Sequence, residues 1–335
     1  MMDPGVSSEK DTQYISSYMA PWEVYGIAFS CKPSQPYRLA ISSIITDGPN
    51  HIEIIKYNRD NGRLEKKASC EVQYAPTKIM WVPDPSGASQ DLFATSGDKL
   101  RLWSVENNDK LVEKVGFSKT NMELGAPLTS FDWDPQQLNQ IITCSVDTTC
   151  TLWDISQNSI IRTLIAHEKE VMDVSYSPER YFFATAGADG SIRQFDMRDL
   201  SKSDILYETN GGSESLLRVA WNKNNKFHIA VVSENDNSVI ILDTRKHLIA
   251  YAKLSFHRAP VNNLAWAPQS ANHLCTVSDD RLALIWDIKK ISTELKNPML
   301  SYSAPANIAN VSWGSQETDW VAMTLDKQVQ ILRAY

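Results

Sequence analysis

Much is missing from this chain of 335 residues. Its five cysteines (Cys31, Cys70, Cys144, Cys150 and Cys275) are odd in number and scattered, with no CxxC pair. That excludes a disulfide framework and points to reduced thiols, as in the cytoplasm and nucleus, where the chain is expected to reside. No apolar run nears the roughly 18–20 residues that span a bilayer as a helix, and the first ten residues are polar. Neither a membrane partner nor a secretory leader is therefore expected. The net charge is −7 and no block of Lys or Arg stands out, which argues against direct contact with nucleic acid. Absent too are G-x-S-x-G, the phosphate loop, H-E-x-x-H and the dinucleotide glycine fingerprint. No enzyme, cofactor or metal centre is expected.

What is present is repetition. Hydrophobic residues make up 42% and charged residues 22%, a composition that supports a real core. The stretch from Ile165 to Asp196 holds three short apolar-rich runs separated by turn signals, which is strand chemistry. A histidine, His167, precedes the first run, Asp189 sits between the second and third, and Phe195-Asp196 closes the third. The same pattern recurs. Aromatics closing the first run fall at Phe29, Trp81, Trp133, Tyr176, Trp221, Trp266 and Trp313. Residues closing the third fall at Tyr57, Trp103, Trp153, Phe195, Leu242, Trp286 and Leu332. Both series advance by 42 to 52 residues per step. That is the period of a four-stranded blade of a WD-type propeller.

Internal spacing agrees. A turn aspartate precedes the closing residue by six at Asp147, Asp189, Asp236, Asp280 and Asp326, and by five at Asp98; His51 takes its place in the first unit. Pro83, Pro135, Pro178 and Pro268 each follow the first-run aromatic by two and end that strand. Seven units predict an all-β, seven-bladed propeller. Residues 1–12 are expected to be disordered and 13–335 to form the propeller, closed by an N-terminal strand over Tyr14–Met19. The outer strand of the second unit is expected near Lys110–Val115, and one helical turn near Ile291–Lys296.

Such repeats hold buried polar groups in common. The turn Asp accepts from His, His meets a Ser or Thr, and that hydroxyl reaches the closing Trp; an unpaired buried imidazole would cost about 1–3 kcal/mol. The set is fullest in the fourth unit (His167, Asp189) and the sixth (His257, Asp280, Trp286), with Asp147 and Trp153 a partial set in the third. Asp279-Asp280 and the two histidines read as architecture rather than catalysis or metal ligation, and Cys144 and Cys150 as small buried hydrophobes. Spacing places one further set on a single face: Glu23, Tyr25, Thr77, Gly97, Thr129, Val146, Glu170, Met172, Ala188, Leu217, Asn235, Asn262, Asp279, Ala309 and Leu325. Its mixture of apolar, small and acidic groups suits a partner segment with apolar anchors and positive charge.

Several stretches are specific beyond a generic repeat, and several of them lie in loops that the fold does not dictate: Ala20-Pro-Trp22, Ala94-Thr-Ser-Gly-Asp98, Ala126-Pro-Leu-Thr-Ser-Phe-Asp-Trp133, Asp147-Thr-Thr-Cys-Thr151, Leu164-Ile-Ala-His-Glu-Lys-Glu-Val171 and Leu264-Ala-Trp-Ala-Pro268. In these the chain resembles the WD-repeat family of the plant transparent testa glabra regulator and its animal anthocyanin-regulator homologue, from about Ala20 onward. The resemblance implies a non-enzymatic scaffold of cytoplasm and nucleus. Animal members bind protein kinases of the dual-specificity tyrosine-regulated class, and plant members bind transcription regulators. It also implies, as an alternative, a substrate receptor of a cullin-type ubiquitin ligase, contacting the ligase adaptor through an Asp-x-Arg after a closing residue. Here that pattern is Phe195-Asp-Met-Arg198 and Leu242-Asp-Thr-Arg245.

Overall fold

The computed structural model describes residues 15–106, 110–119, 125–212, 214–290, 294–295 and 297–334. Residues 1–12 and Tyr14 lie outside them, as do 291–293 and 296. The described strands form seven sheets arranged as the blades of a propeller, each with four antiparallel strands ordered from the channel outward. Every inner strand ends on the aromatic that marked it in the sequence: Val24–Phe29, Lys78–Trp81, Leu128–Trp133, Val171–Tyr176, Leu216–Trp221, Val261–Trp266 and Asn310–Trp313. Each inner strand touches the next, and the seventh touches the first, so the ring is shut.

Local chemistry explains the blades. Between the second and third strands of blades 3 to 6 the aspartate side chain accepts the amide two residues on, as Asp189 does from Ser191 at 3.1 Å and Asp236 from Ser238 at 3.0 Å. This Asx turn reverses the chain without help from elsewhere. The residue after Asp189 is Gly190, with φ +78°, where a Cβ would lie 2.3 Å from the Thr209 hydroxyl. The core is not one mass but seven wedges, each filled by the facing sides of two neighbouring blades. Trp81, Trp133 and Tyr176, at inner-strand ends, are among the largest fully buried side chains.

Closure uses the N-terminal strand. Ile15–Met19 pairs antiparallel with Gln328–Arg333, from Ile15 opposite Leu332 to Met19 opposite Gln328. It also grips the first blade, where the Tyr18 hydroxyl donates to the buried Glu53 at 2.7 Å and Lys66 holds the other Glu53 oxygen at 2.6 Å.

Three expectations need correction. His51 does not sit in a turn: it lies within the third strand of blade 1, Asn50–Asn58, stacked on Trp22 at 5.9 Å. Asn50 takes the turn role, accepting the Ile45 amide and the Ser43 hydroxyl at 2.8 Å each. The outer strand of blade 2 runs further than expected, Lys110–Phe117. Near Ile291–Lys296 the described residues are not helical: a 3-10 turn spans Ile288–Lys290 instead, and Glu294–Leu295 adds to blade 5 as a fifth strand, parallel to Ala250–Ser255. The connection thereby covers an otherwise open sheet edge.

Candidate protein-binding rims and the polar channel

Strand direction alternates in each blade, so the four connections divide between two faces. Links between blades and the Asx turns share a first rim. The first and last turns of each blade share a second.

The polar network lies behind the first rim. In blade 6 the Trp286 indole donates to the Thr276 hydroxyl at 2.9 Å, Thr276 meets His257 Nε2 at 2.8 Å, and His257 Nδ1 meets Asp280 at 2.9 Å. Blade 4 has the same links between Thr185, His167 and Asp189, at 2.7 and 2.9 Å, but Phe195 brings no indole. Burial pushes both imidazoles below their ordinary 6.5, with the aspartates partly opposing. A neutral ring donating from Nδ1 and accepting at Nε2 satisfies every bond. Burial pushes the Asp189 carboxyl up, yet His167 and Ser191 outweigh it and hold it well below the usual carboxylate range. In blade 3, Trp153 bonds Thr143 at 2.9 Å, but Asp147 meets Lys119 at 3.0 Å where blades 4 and 6 have imidazole. Blade 2 likewise pairs Asp98 with Arg101, at 2.5 and 2.9 Å. Asp279 stays on the surface, bonded to Asn262 at 2.8 Å. Cys144 and Cys150 face each other across adjacent strands, both fully buried and unbridged. Among the described residues no group of three or more His, Cys, Asp or Glu is placed to hold a metal ion.

The face set divides into four. Glu23, Val146, Glu170, Asn235 and Asp279 are exposed, with Met172, Leu217, Ala188 and Ala309 half-buried beside them. Thr77, Thr129 and Asn262 stand at the rim but bind the next blade: Thr77 donates to the Leu128 carbonyl at 2.9 Å, Asn262 to that of Ile308 at 2.9 Å, and Thr129 to that of Val171. Each satisfies the start of an inner strand across a seam. Gly97 and Leu325 are buried. Tyr25 accepts a 2.9 Å bond from Arg218, which crosses from blade 5 to blade 1.

Arg218 belongs to a network that sequence reasoning missed. A cavity of about 320 Å³ runs through the ring. In blades 1, 4 and 5 the inner edge turns backbone amides toward it, and side chains of the preceding blade satisfy them. Asp173 takes the Val219 amide at 3.0 Å and the Ser130 hydroxyl at 2.6 Å. Asp132 takes the Tyr176 amide at 2.7 Å and Lys223 at 3.1 Å. Ser175 takes the Trp221 amide, and Ser312 that of Phe29, each at 3.1 Å. Two seams are tied instead by an indole, Trp81 to the Ala28 carbonyl and Trp266 to that of Ala220. Both channel carboxylates are thus engaged by the frame. A signal was present: polar residues at the third and fifth positions of inner strands, which alternation points inward.

Arg198 and Arg245 lie on the second rim, in the last turns of blades 4 and 5. Each grips the aspartate two residues before it through Nε and Nη2, at 2.9 and 2.5 Å for Arg198 and 2.9 and 2.6 Å for Arg245. Each rests on aromatics of its own blade, Arg198 on Tyr181 and Phe182, Arg245 on Phe227. Their side chains are 60% and 59% exposed. Blade 2 has Glu106 at the matching position, and blade 3 has Ser156.

Seven blades built on four antiparallel strands each, Asx turns and His–Asp–Thr–Trp links define a WD40 propeller. The family model for the WD domain, G-beta repeat, matches at 158–196 and 250–287, the two stretches that carry His167–Asp189 and His257–Asp280. The chain is 42% identical over 321 residues to the DDB1- and CUL4-associated factor 7 homolog of Dictyostelium discoideum, covering 95% of this chain and 98% of that one. It is 32% identical to an uncharacterized WD repeat-containing protein of Schizosaccharomyces pombe, over 86% of this chain and 73% of the other. A WD repeat-containing protein of Saccharomyces cerevisiae is 30% identical, over 88% and 61%. The chain belongs to the WD-repeat family of the DDB1- and CUL4-associated factor 7 homolog.

Proposed function

We propose that this protein is a two-sided, non-enzymatic adaptor that holds a cargo on its first rim and a cullin-ligase adaptor on its second. The observation that carries the reading is the separation of the two candidate sets: Glu23, Glu170, Met172, Leu217 and Asp279 face one way, Arg198 and Arg245 the other. A rigid ring between them lets both be occupied at once. The arginines are held ready by Asp196 and Asp243, so little side-chain entropy is lost when a partner arrives. The name of the Dictyostelium relative supports DDB1 as the second-rim partner. For the first rim, the resemblance to kinase- and regulator-binding scaffolds favours a segment of a dual-specificity tyrosine-regulated-type kinase or of a transcription regulator, met in cytoplasm and nucleus. Exposed carboxylates beside Met172 and Leu217 suit a basic segment with apolar anchors.

The test is a pair of variants. Arg198→Glu with Arg245→Glu should abolish co-purification of DDB1 and leave kinase or regulator recovery unchanged. Glu170→Lys with Met172→Asp should do the reverse. Loss of both partners in either variant, or of neither in both, refutes the division.

A further inference from the structure

The two arginines are not isolated. Beside Arg198 a cleft of about 280 Å³ opens between blades 3 and 4, lined by Ile161, Arg162, Tyr181, Met197 and Leu200. Ile161, on the outer strand of blade 3, is 48% exposed. Three and four residues beyond Arg245, Leu248 and Ile249 are each 62% exposed. The turn that carries them is held outward. Leu248 sits at φ +63°, a left-handed conformation that a leucine rarely adopts, and its amide donates to the Leu206 carbonyl of blade 4 at 2.8 Å. The fold therefore keeps a left-handed leucine in a turn that exposes two aliphatic side chains, three and four residues beyond an oriented guanidinium.

We propose that Ile161, Leu248 and Ile249 are the apolar anchors of the second-rim interface, and that the surface they dock on is DDB1, through apolar pockets flanked by carboxylates. This rests on the ligase reading above. In blade 4 the Arg198 guanidinium lies over Tyr181 and Phe182 and shares a cleft with Ile161; in blade 5 the Arg245 guanidinium lies over Phe227, in the turn that exposes Leu248 and Ile249. A guanidinium has five N–H donors, and the bonds to aspartate run through Nε and Nη2, which leaves donor capacity for an acidic partner group. Apolar area supplies the desolvated centre that a pair of surface charges lacks. Charge complementarity is local: Arg162 lines the same cleft as Arg198, and Arg198 and Arg245, although paired with Asp196 and Asp243, keep N–H groups that those aspartates do not use.

The experiment measures binding of purified full-length chain to purified DDB1, with the thermal unfolding midpoint as the control for folding. Leu248→Asp with Ile249→Asp, made with both arginines intact, should weaken binding at least tenfold. Leu248→Ser with Ile249→Ser is the milder second variant should the first not fold, and should also weaken binding, by at least threefold. Ile161→Asp should weaken binding independently. Unchanged affinity in these variants, while Arg198→Glu with Arg245→Glu abolishes binding, overturns the anchors and leaves the ligase reading standing. No binding by the unaltered chain overturns both.

Discussion

Blades 5 and 6 are neighbours with opposite interiors. Blade 6 carries the full chain from Trp286 through Thr276 and His257 to Asp280. In blade 5 the matching positions are Leu242, Val231 and Gly212, and its third strand, Ser238–Asp243, is buried throughout. The same division runs round the ring. Blades 2, 3 and 6 put Thr95, Thr143 and Thr276 at the fourth place of the second strand, and each accepts the indole of the closing tryptophan at 2.9 Å. Blades 1, 5 and 7 put Ile41, Val231 and Met323 there, and their third strands carry Tyr57, Leu242 and Leu332 in place of a closing tryptophan. A buried N–H demands an acceptor, and a closing residue without one is better matched by a hydrocarbon. The lesson is that a blade interior is either polar and paired or apolar; a mixture is the costly state.

The largest test is to create that mixture in blade 6. Thr276→Val strands the Trp286 N–H and the His257 Nε2 together and should cost about 3–5 kcal/mol, read as a drop in the chemical denaturation midpoint. Thr143→Val in blade 3 strands the Trp153 N–H without any imidazole and should cost less, about 1–3 kcal/mol. The converse, Val231→Thr in blade 5, buries a hydroxyl with neither indole nor imidazole to meet it. About 1–2 kcal/mol is expected, because the backbone carbonyl across the strand pair is a weak substitute, as at 3.4 Å for Thr185 to Arg193. A Thr143 variant costing as much as the Thr276 variant would show that the histidine adds nothing.

Acid should separate the same regions. The folded-state values of His167 and His257 lie below the unfolded 6.5, so the unfolded chain takes up protons first as pH falls. The stability is fully present above pH 6.5 and is lost on descending through the folded values. The slope is at most about 1.4 kcal/mol per pH unit for each residue. His228, also lowered chiefly by burial, adds a third contribution from blade 5. His167→Gln with His257→Gln should flatten the decline of the denaturation midpoint between about pH 6.5 and pH 5 without removing it. A slope identical to that of the unaltered chain would mean that neither imidazole is held neutral by burial.

How far the sequence could be read depends on where each partner lies. The inner-strand aromatics and the Asx turns announce themselves within a few residues, so the blades and their number were legible. The closing strand Ile15–Met19 followed from the need to remove a sheet edge. The seams were not legible, because Ser130 and Asp173 stand 43 residues apart, and Asp173 and Val219 stand 46 apart. Their pairing exists only once two repeats lie side by side. For the same reason spacing placed Thr77, Thr129 and Asn262 on a rim without showing that their polar atoms reach the next blade. His51 misled because the nine-residue third strand of blade 1 runs past its closing position: register sets Ile55, not Tyr57, opposite Leu39, as it sets Trp286 opposite Leu274, so a count of six back from Tyr57 lands inside the strand. Leu248 and Ile249 were invisible for a different reason: nothing in the repeat predicts a left-handed leucine.

Blade 4 offers the finest test, because it lies between the two types. It has His167, Thr185 and Asp189 but closes on Phe195, so Thr185 lacks the indole that its counterpart Thr276 receives. Phe195→Trp would supply it. Room is the question, since an extra ring in a packed core can cost 1–3 kcal/mol. Blade 2 supplies the precedent: there Phe93 stacks on Trp103 at 6.2 Å and 11°, while Trp103 reaches Thr95. In blade 4 the same partner is already in place, Phe183 stacked on Phe195 at 5.1 Å and 12°. The substitution should therefore raise the denaturation midpoint by the value of one buried hydrogen bond, about 1 kcal/mol. A second measurement guards the interpretation: with Thr185→Val the gain should disappear and become a loss, because the new N–H then has no acceptor. A gain that survives without Thr185 would show that packing, not the hydrogen bond, decides which residue closes a blade.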